Sequence, residues 1–420
     1  MKKLAINGGK PVRDKKFHPF PNVGFDDLSS VMSCFEDTSF SGFRAGFYDG
    51  GKNVKSFENI VSSTTGSKYA VSFDTWSNGI VACLMSMGIE SGDEVLITPY
   101  TMTSCATSVL ACGAIPVFVD VCLETGCLDP VDVLKKVTSK TKAIFVVHLF
   151  GIPADMDRIM AIAKKHNLLV FEDCAQSPLA TYKGKFVGSM GDVSGFSLTE
   201  SKHVMSGEGG VAITDNELIN NGMRIIRNHG EVKNTTNTEE ENYSHNTLAT
   251  SGLIGFNFRM TELTAALAES QWRKLPVVLD RKHELVNYLH ANLSRFSFIE
   301  IMKPDYDCLP SWYSLPLRFK SEKLGISRSK FVEALNAEGM NFAEGYVEPL
   351  YYQSIYTTNP HWVVRDSGYD YNNVRCKNVE KLWRDELILT LDVRPPYTIS
   401  DMDDIIYAFE KIKENIHELT

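Results

Sequence analysis

Residues 143–178 read AIFVVHLFGIPADMDRIMAIAKKHNLLVFEDCAQSP. Two runs that are apolar at nearly every position, AIFVV and LLVFED, flank a stretch from Asp155 to His166 whose apolar residues recur every three or four positions. Runs of the first kind suit strands buried on both faces, and the period of the second is that of a helix lying on a sheet. A strand, a helix and a strand in this order form a right-handed crossover between parallel neighbours. The alternation continues outward, through KYAVSF, EVLIT and IPVFV on one side and VSGFSL and VAIT on the other, from about position 68 to 215. The expectation is an α/β/α architecture around a mostly parallel seven-stranded sheet, with further helices over Gly79–Met87 and Met260–Leu275.

Farther out the texture changes. Glu231 to Ser251 (EVKNTTNTEEENYSHNTLATS) is polar and nearly free of large apolar residues, as expected of a mobile surface loop near the site or of a plain insertion. After Trp272 come a charged helical stretch, mixed strands and turns, and the amphipathic SDMDDIIYAFEKIKENI. A large α/β domain over 1–270 and a smaller α+β domain over 271–420 fit this change, with a long helix as the link. At 420 residues, two domains are the reasonable prior. The net charge of −9, mixed along the chain, offers no basic field for nucleic acid or an anionic membrane. The opening MKKLAINGGK lacks the apolar core of a signal peptide, and no later run is long enough to span a bilayer, so a cytoplasmic protein is expected. Nine scattered cysteines without a CxxC pair read as reduced, mostly buried thiols, and no metal site is expected.

Three segments carry candidate chemistry. The strand LLVFED ends in Glu172 and Asp173, where an α/β sheet opens its ligand crevice. An acid at that point caps a helix, binds a cation, or holds the protonated nitrogen of a heterocycle such as pyridoxal phosphate (PLP). In GFSLTESKHVMSGEGG, Lys202 sits in a short turn between a strand and the cluster Gly207, Gly209, Gly210. A lysine that condenses with a carbonyl needs such a constrained, partly desolvated place, although most lysines are simply solvated. In SFDTWSNGIVACLMSMGI, Thr75, Trp76, Ser77 and Asn78 stand between a strand and a helix, serving as an anion site or as an ordinary N-cap.

The order of GDEVLITPYTMTS, PVFVDV, LDP, TKAIFVVHLFGIPADMD, FEDCAQSP, VGSMGDVSGFSL, then Lys202 and GEGG, then RNHG and GFNFRMTELTAALAESQ, resembles the DegT-type (DegT/DnrJ/StrS) sugar aminotransferases. The likeness covers nearly the whole chain, down to YVEPLYYQ and RPPYT near its end. It implies the fold type I of PLP-dependent transferases, with PLP held by Lys202 as a Schiff base and Lys202 as the acid/base. By the same likeness Asp173 pairs with the pyridine nitrogen and Gln176 with the phenolic oxygen. Thr75, Trp76, Ser77 and Ser197 hold the phosphate. Asn257 reaches the cofactor of the neighbouring subunit, so the enzyme is a homodimer. The implied reaction moves an amino group from glutamate to a keto sugar, a nucleotide-linked keto-hexose, in amino-sugar biosynthesis.

Two positions depart from the family pattern. Trp76 replaces a common glycine, so it must point away from the phosphate, cover part of the site, or supply aromatic surface to the cofactor. Met102 stands where an aromatic usually lies on the cofactor ring, a role that its polarizable sulfur can fill. Ketocyclitol amination, PLP-dependent sugar dehydration and non-catalytic PLP binding stay open as alternatives. His148 and Tyr346 read as core residues or pocket-lining ones, and Arg259 as an anion ligand or a dimer contact.

Overall fold

The computed structural model describes residues 3–17, 23–38, 40–41, 50–233, 248–250 and 252–419. Each apolar run becomes a strand: β1 Tyr69–Phe73, β2 Glu94–Ile97, β3 Ile115–Phe118, β4 Thr141–Val147, β5 Leu169–Asp173, β6 Val193–Ser197 and β7 Gly210–Thr214. They form one sheet in the order β1-β7-β6-β5-β4-β2-β3. Neighbours from β6 to β3 are parallel, while β7 runs antiparallel to both β6 and β1. Because β7 alone is reversed, the carboxyl ends of β1, β2, β5 and β6 meet at one edge, and every candidate segment follows one of those ends. The strands are buried on both faces, as their lack of apolar/polar alternation predicts.

Helices flank this sheet: α1 Phe25–Glu36, α2 Trp76–Ser86, α3 Thr103–Ala111, α4 Met156–His166 and α5 Glu217–Arg227. A sixth helix, α6, runs from Glu262 to Leu293, a length of about 48 Å at 1.5 Å per residue. Thr261 caps it by accepting the N–H of Thr264, and α6 crosses position 270, where the sequence suggests a domain boundary. Past it lies a second, antiparallel sheet of β8 Ile299–Ile301, β9 Leu315–Phe319, β10 Ala343–Glu344 and β11 Leu387–Thr390, in the order β8-β9-β11-β10. The helix α7, Ile399–Glu414, follows.

Residues 3–17 pack against this second part. Buried Glu338 accepts the N–H groups of Ala5 and Val12 and the ammonium of Lys411, and Arg13 pairs with Asp401 and Asp404. The polar stretch after Glu231 starts and ends in a two-stranded ribbon, Glu231–Lys233 against Leu248–Thr250. The intervening part of the expected mobile loop, 234–247, lies outside the described residues. No helix of the described residues is long and apolar enough to cross a membrane.

Candidate active site

Successive strand residues face opposite sides, so Glu172 and Asp173 at the end of β5 do different work. Glu172 is fully buried and points into the protein, accepting the N–H groups of Gly188 (2.8 Å), Met190 (2.9 Å) and Gly191 (2.6 Å). It also meets His148 Nε2 at 3.0 Å; since His148 Nδ1 accepts the N–H of Ala154, Nε2 carries the proton and donates it. His148 is therefore a structural residue of the β4–β5 edge.

Asp173, on the crevice side, is 3% exposed. Its Oδ1 accepts the indole N–H of Trp76 (3.0 Å) and the N–H of Ala175 (3.0 Å), and its Oδ2 accepts the thiol of Cys105 (3.3 Å). Burial, reinforced by the Asp173 charge, raises the Cys105 thiol well above its usual range, so it stays a donor. Each carboxylate oxygen can accept more than one bond, and three donors fix its plane.

Trp76 is the first residue of α2 and lies beneath the sheet edge, not over it. Its ring stacks at 6.1 Å on Phe171 of β5 and is 5% exposed. The room comes from three glycines: a Cβ at Gly195 would lie 2.2 Å from the Trp76 ring, one at Gly79 2.7 Å from it, and one at Gly210 2.6 Å from Trp76 Cα. The indole is thus buried between Phe171 and the glycine backbone, with its N–H on Asp173.

The register Phe73↔Gly210↔Ser197 brings the turn after β1 beside the end of β6. Thr75 caps α2, its hydroxyl accepting the N–H of Asn78 at 3.2 Å, and Asp74 holds the Asn78 amide. The ordinary N-cap is thus present. Ser77 is exposed on the first turn, with no side-chain partner among the described residues, and is open to an anion. Ser197, buried, makes two long contacts of 3.5 Å with Thr199, donating to its hydroxyl and accepting its N–H.

Lys202 occupies a tight turn after β6, closed by bonds from its own N–H to the Thr199 carbonyl and from Ser206 N–H to the Leu198 carbonyl. Gly207 and Gly209, at φ +82° and +153°, take backbone conformations that side chains rarely adopt. The Lys202 side chain is buried, forms no ion pair among the described residues, and sets its ammonium 4.5 Å from the centre of the Tyr313 ring. Gln176 spends its oxygen on the N–H of Phe150 and one amide hydrogen on the Tyr346 hydroxyl (2.9 Å), which leaves one N–H. Met102, at the N-terminus of α3, is 51% exposed. Asn257 is exposed and makes no side-chain bond to this cluster among the described residues, and Arg259 bonds Asn228 at 2.6 Å. Sequence reading missed Cys105, Tyr313 and Lys282; each stands in an ordinary apolar or helical stretch with no local motif.

A sheet edge that offers a carboxylate for a ring nitrogen, hydroxyl and N–H groups for a phosphate, and an amine for an aldehyde suits PLP. The protein is a PLP-dependent aminotransferase of fold type I. The DegT/DnrJ/EryC1/StrS aminotransferase family matches residues 41–409, and the chain belongs to that family. It is similar to the spore coat polysaccharide biosynthesis protein SpsC of Bacillus subtilis, with 28% identity over 94% of this chain and 96% of that protein. Among solved structures it resembles the aminotransferase from Psychrobacter cryohalolentis, with a TM-score of 0.85, 27% identity, and coverage of 96% of this chain and 100% of that one. PseC of Helicobacter pylori, an aminotransferase involved in the biosynthesis of pseudoaminic acid, shares the fold at a TM-score of 0.80 and 21% identity, over 96% of this chain and 100% of that one.

Proposed function

We propose that the enzyme moves an amino group from glutamate to the carbonyl of a keto sugar, a nucleotide-linked keto-hexose, with Lys202 as its catalytic residue. The observation that carries this reading is the buried Lys202 amine, without an ionic partner among the described residues, on the turn between β6 and β7 at the edge where Asp173 stands. PLP, when bound, supplies an electron sink for the charge left at a substrate carbon. Lys202 takes the proton from the donor's α-carbon and delivers it in the reverse sense during amination of the sugar. Asp173, fixed by its three donors, holds the positive ring nitrogen. Ser77, Ser197 and the first N–H groups of α2 bind the phosphate, with Thr75 and Trp76 shaping that turn. The remaining N–H of Gln176 serves the phenolic oxygen, and Met102 lies against the ring.

The homodimer belongs to the same reading. The outer face of α1 exposes Phe25, Leu28, Met32 and Phe35, and Leu253, Ile254 and Phe256 are exposed beside Asn257. Apolar surface of this extent is what a partner subunit covers, and Asn257 would then complete the partner's site. The large part over 1–270 and the small part over 271–420 enclose the crevice, and the enzyme acts in the cytoplasm on soluble substrates. The dehydratase reading loses ground because position 202 is lysine and the neighbouring His203 is turned to the Ser311 carbonyl at 2.9 Å.

The test is the visible spectrum of the PLP-loaded enzyme before and after glutamate without acceptor. Bleaching of the long-wavelength band, absent in Lys202→Ala, is expected. A band that no amino acid alters would overturn the reading.

A further inference from the structure

A cavity of about 60 Å³ lies between the Lys202 turn, α6 and the turn after β11, lined by Lys202, His203, Lys274, Lys282, Tyr313 and Arg394. At about 10–15 Å³ per water it has room for roughly five waters, or for one carboxylate group. Its charges do not balance. Lys274 is paired with Asp27 at 2.8 Å, and Arg394 lies 3.8 Å from Asp392. Lys282 is 4% exposed and forms no ion pair among the described residues; its hydrogen bond to the Tyr313 carbonyl is a long 3.5 Å. Burial, with the Arg394 guanidinium nearby, pulls the Lys282 ammonium down to about 7. A buried cation without an anion is costly, and a ligand that brings one removes the cost. His203 adds a second unmet need. Its Nε2 donates to the Ser311 carbonyl, so Nδ1 is a buried acceptor with no partner among the described residues.

Cations beside a lone acceptor complement a molecule that carries a carboxylate and an N–H donor. Tyr313 lines this cavity and also receives the Lys202 ammonium on its ring, so the reacting amine borders the space. We propose that the cavity is the carboxylate subsite for the amino-acid donor, with Lys282 and Arg394 as the recognising groups. The inference rests on the aminotransferase reading of Lys202. The diphosphate of a nucleotide-linked keto sugar is larger than the single carboxylate group this cavity of about 60 Å³ has room for, so the subsite separates the donor from the acceptor although both react at the same lysine.

Glutarate, a dicarboxylate with no amino group to react, is the probe. Its binding to the PLP-loaded enzyme is measured by calorimetry for wild type, Lys282→Met, Lys282→Arg and Arg394→Met, alongside inorganic phosphate and the donor and acceptor KM values. Lys282→Met and Arg394→Met are expected to weaken glutarate binding at least tenfold and to raise the donor KM alike, with the acceptor KM unmoved. Lys282→Arg is expected to recover most of the loss, and melting curves check that each variant is folded. Unchanged glutarate affinity and donor KM in both Met variants would overturn the proposal, as would a site that takes phosphate but not glutarate. Glutarate binding is read without turnover, so failure here is distinguishable from failure of the amino-transfer reading, in which no amino acid bleaches the visible band.

Discussion

Trp76 and Asp173 lie 97 positions apart, yet the indole N–H supplies one of the three bonds that orient the carboxylate. Trp76→Phe keeps an aromatic ring on Phe171 but deletes that donor and leaves part of the buried indole's space empty. A hydrogen bond to a charged group contributes about 1.5–3 kcal/mol. PLP affinity, measured by titrating the apo form, is therefore expected to fall roughly tenfold, and the melting temperature to drop with the lost bond and the void. Wild-type affinity in the Phe variant would remove Trp76 from the machinery. Local sequence marked Trp76 as a departure from a glycine pattern and could go no further, because its destination depends on Gly195 and Asp173, which belong to other elements. Asp173 and Lys202 were legible because each ends or follows a strand that the apolar pattern reveals.

Among the elements, the loop from Gly188 to Gly191 is held to β5 by one side chain. Glu172 receives three of its N–H groups in addition to His148. Burial alone would raise this carboxyl, but the His148 bond and the N–H groups of Gly188 and Gly191 outweigh it and hold it below the usual range. Glu172→Gln sets an amide N–H against one of these donors, leaving a buried group unpaired. A loss of about 3 kcal/mol is expected from urea unfolding, with the damage focused on residues 188–191 in hydrogen exchange. Uniform loss of protection, or none, would contradict this picture. The strands and helices were readable because each writes its own period; this clamp was not, since a glutamate at a strand end looks the same whether it faces a crevice or a loop.

For the whole molecule, acid sensitivity follows from buried carboxylates that are ionised in the folded state. Burial works to raise Glu58, yet Arg227 and Arg224 hold it below its ordinary value, and Arg318, Lys320 and Lys381 do the same for Glu386. Since the folded values lie under the unfolded ones, the stability these groups contribute is complete above about pH 4.3 and is lost as pH falls through the lower folded values. The urea midpoint is expected to drop steeply below about pH 4, and Glu58→Gln to flatten that drop; an equally steep profile in the variant would exclude Glu58 as a source. The seven-stranded sheet was legible throughout, because strands buried on both faces are apolar at nearly every position. The packing of residues 3–17 on Glu338 and Asp401 was not, since it joins segments from opposite ends of the sequence.

The nesting of the Trp76 ring against Gly195 also constrains how this sequence can drift. A methyl group at 195 would sit 2.2 Å from the indole, whereas loss of the indole alone leaves a void and strips a donor from Asp173. Each single replacement is damaging in its own way, and a small residue at 76 would still leave a methyl at 195 only 2.4 Å from the Val211 carbonyl oxygen. Gly195 is therefore held to glycine by the neighbouring strand as well as by the indole, and passage to the glycine-type turn at 76 requires a compensating donor elsewhere around Asp173, not one substitution.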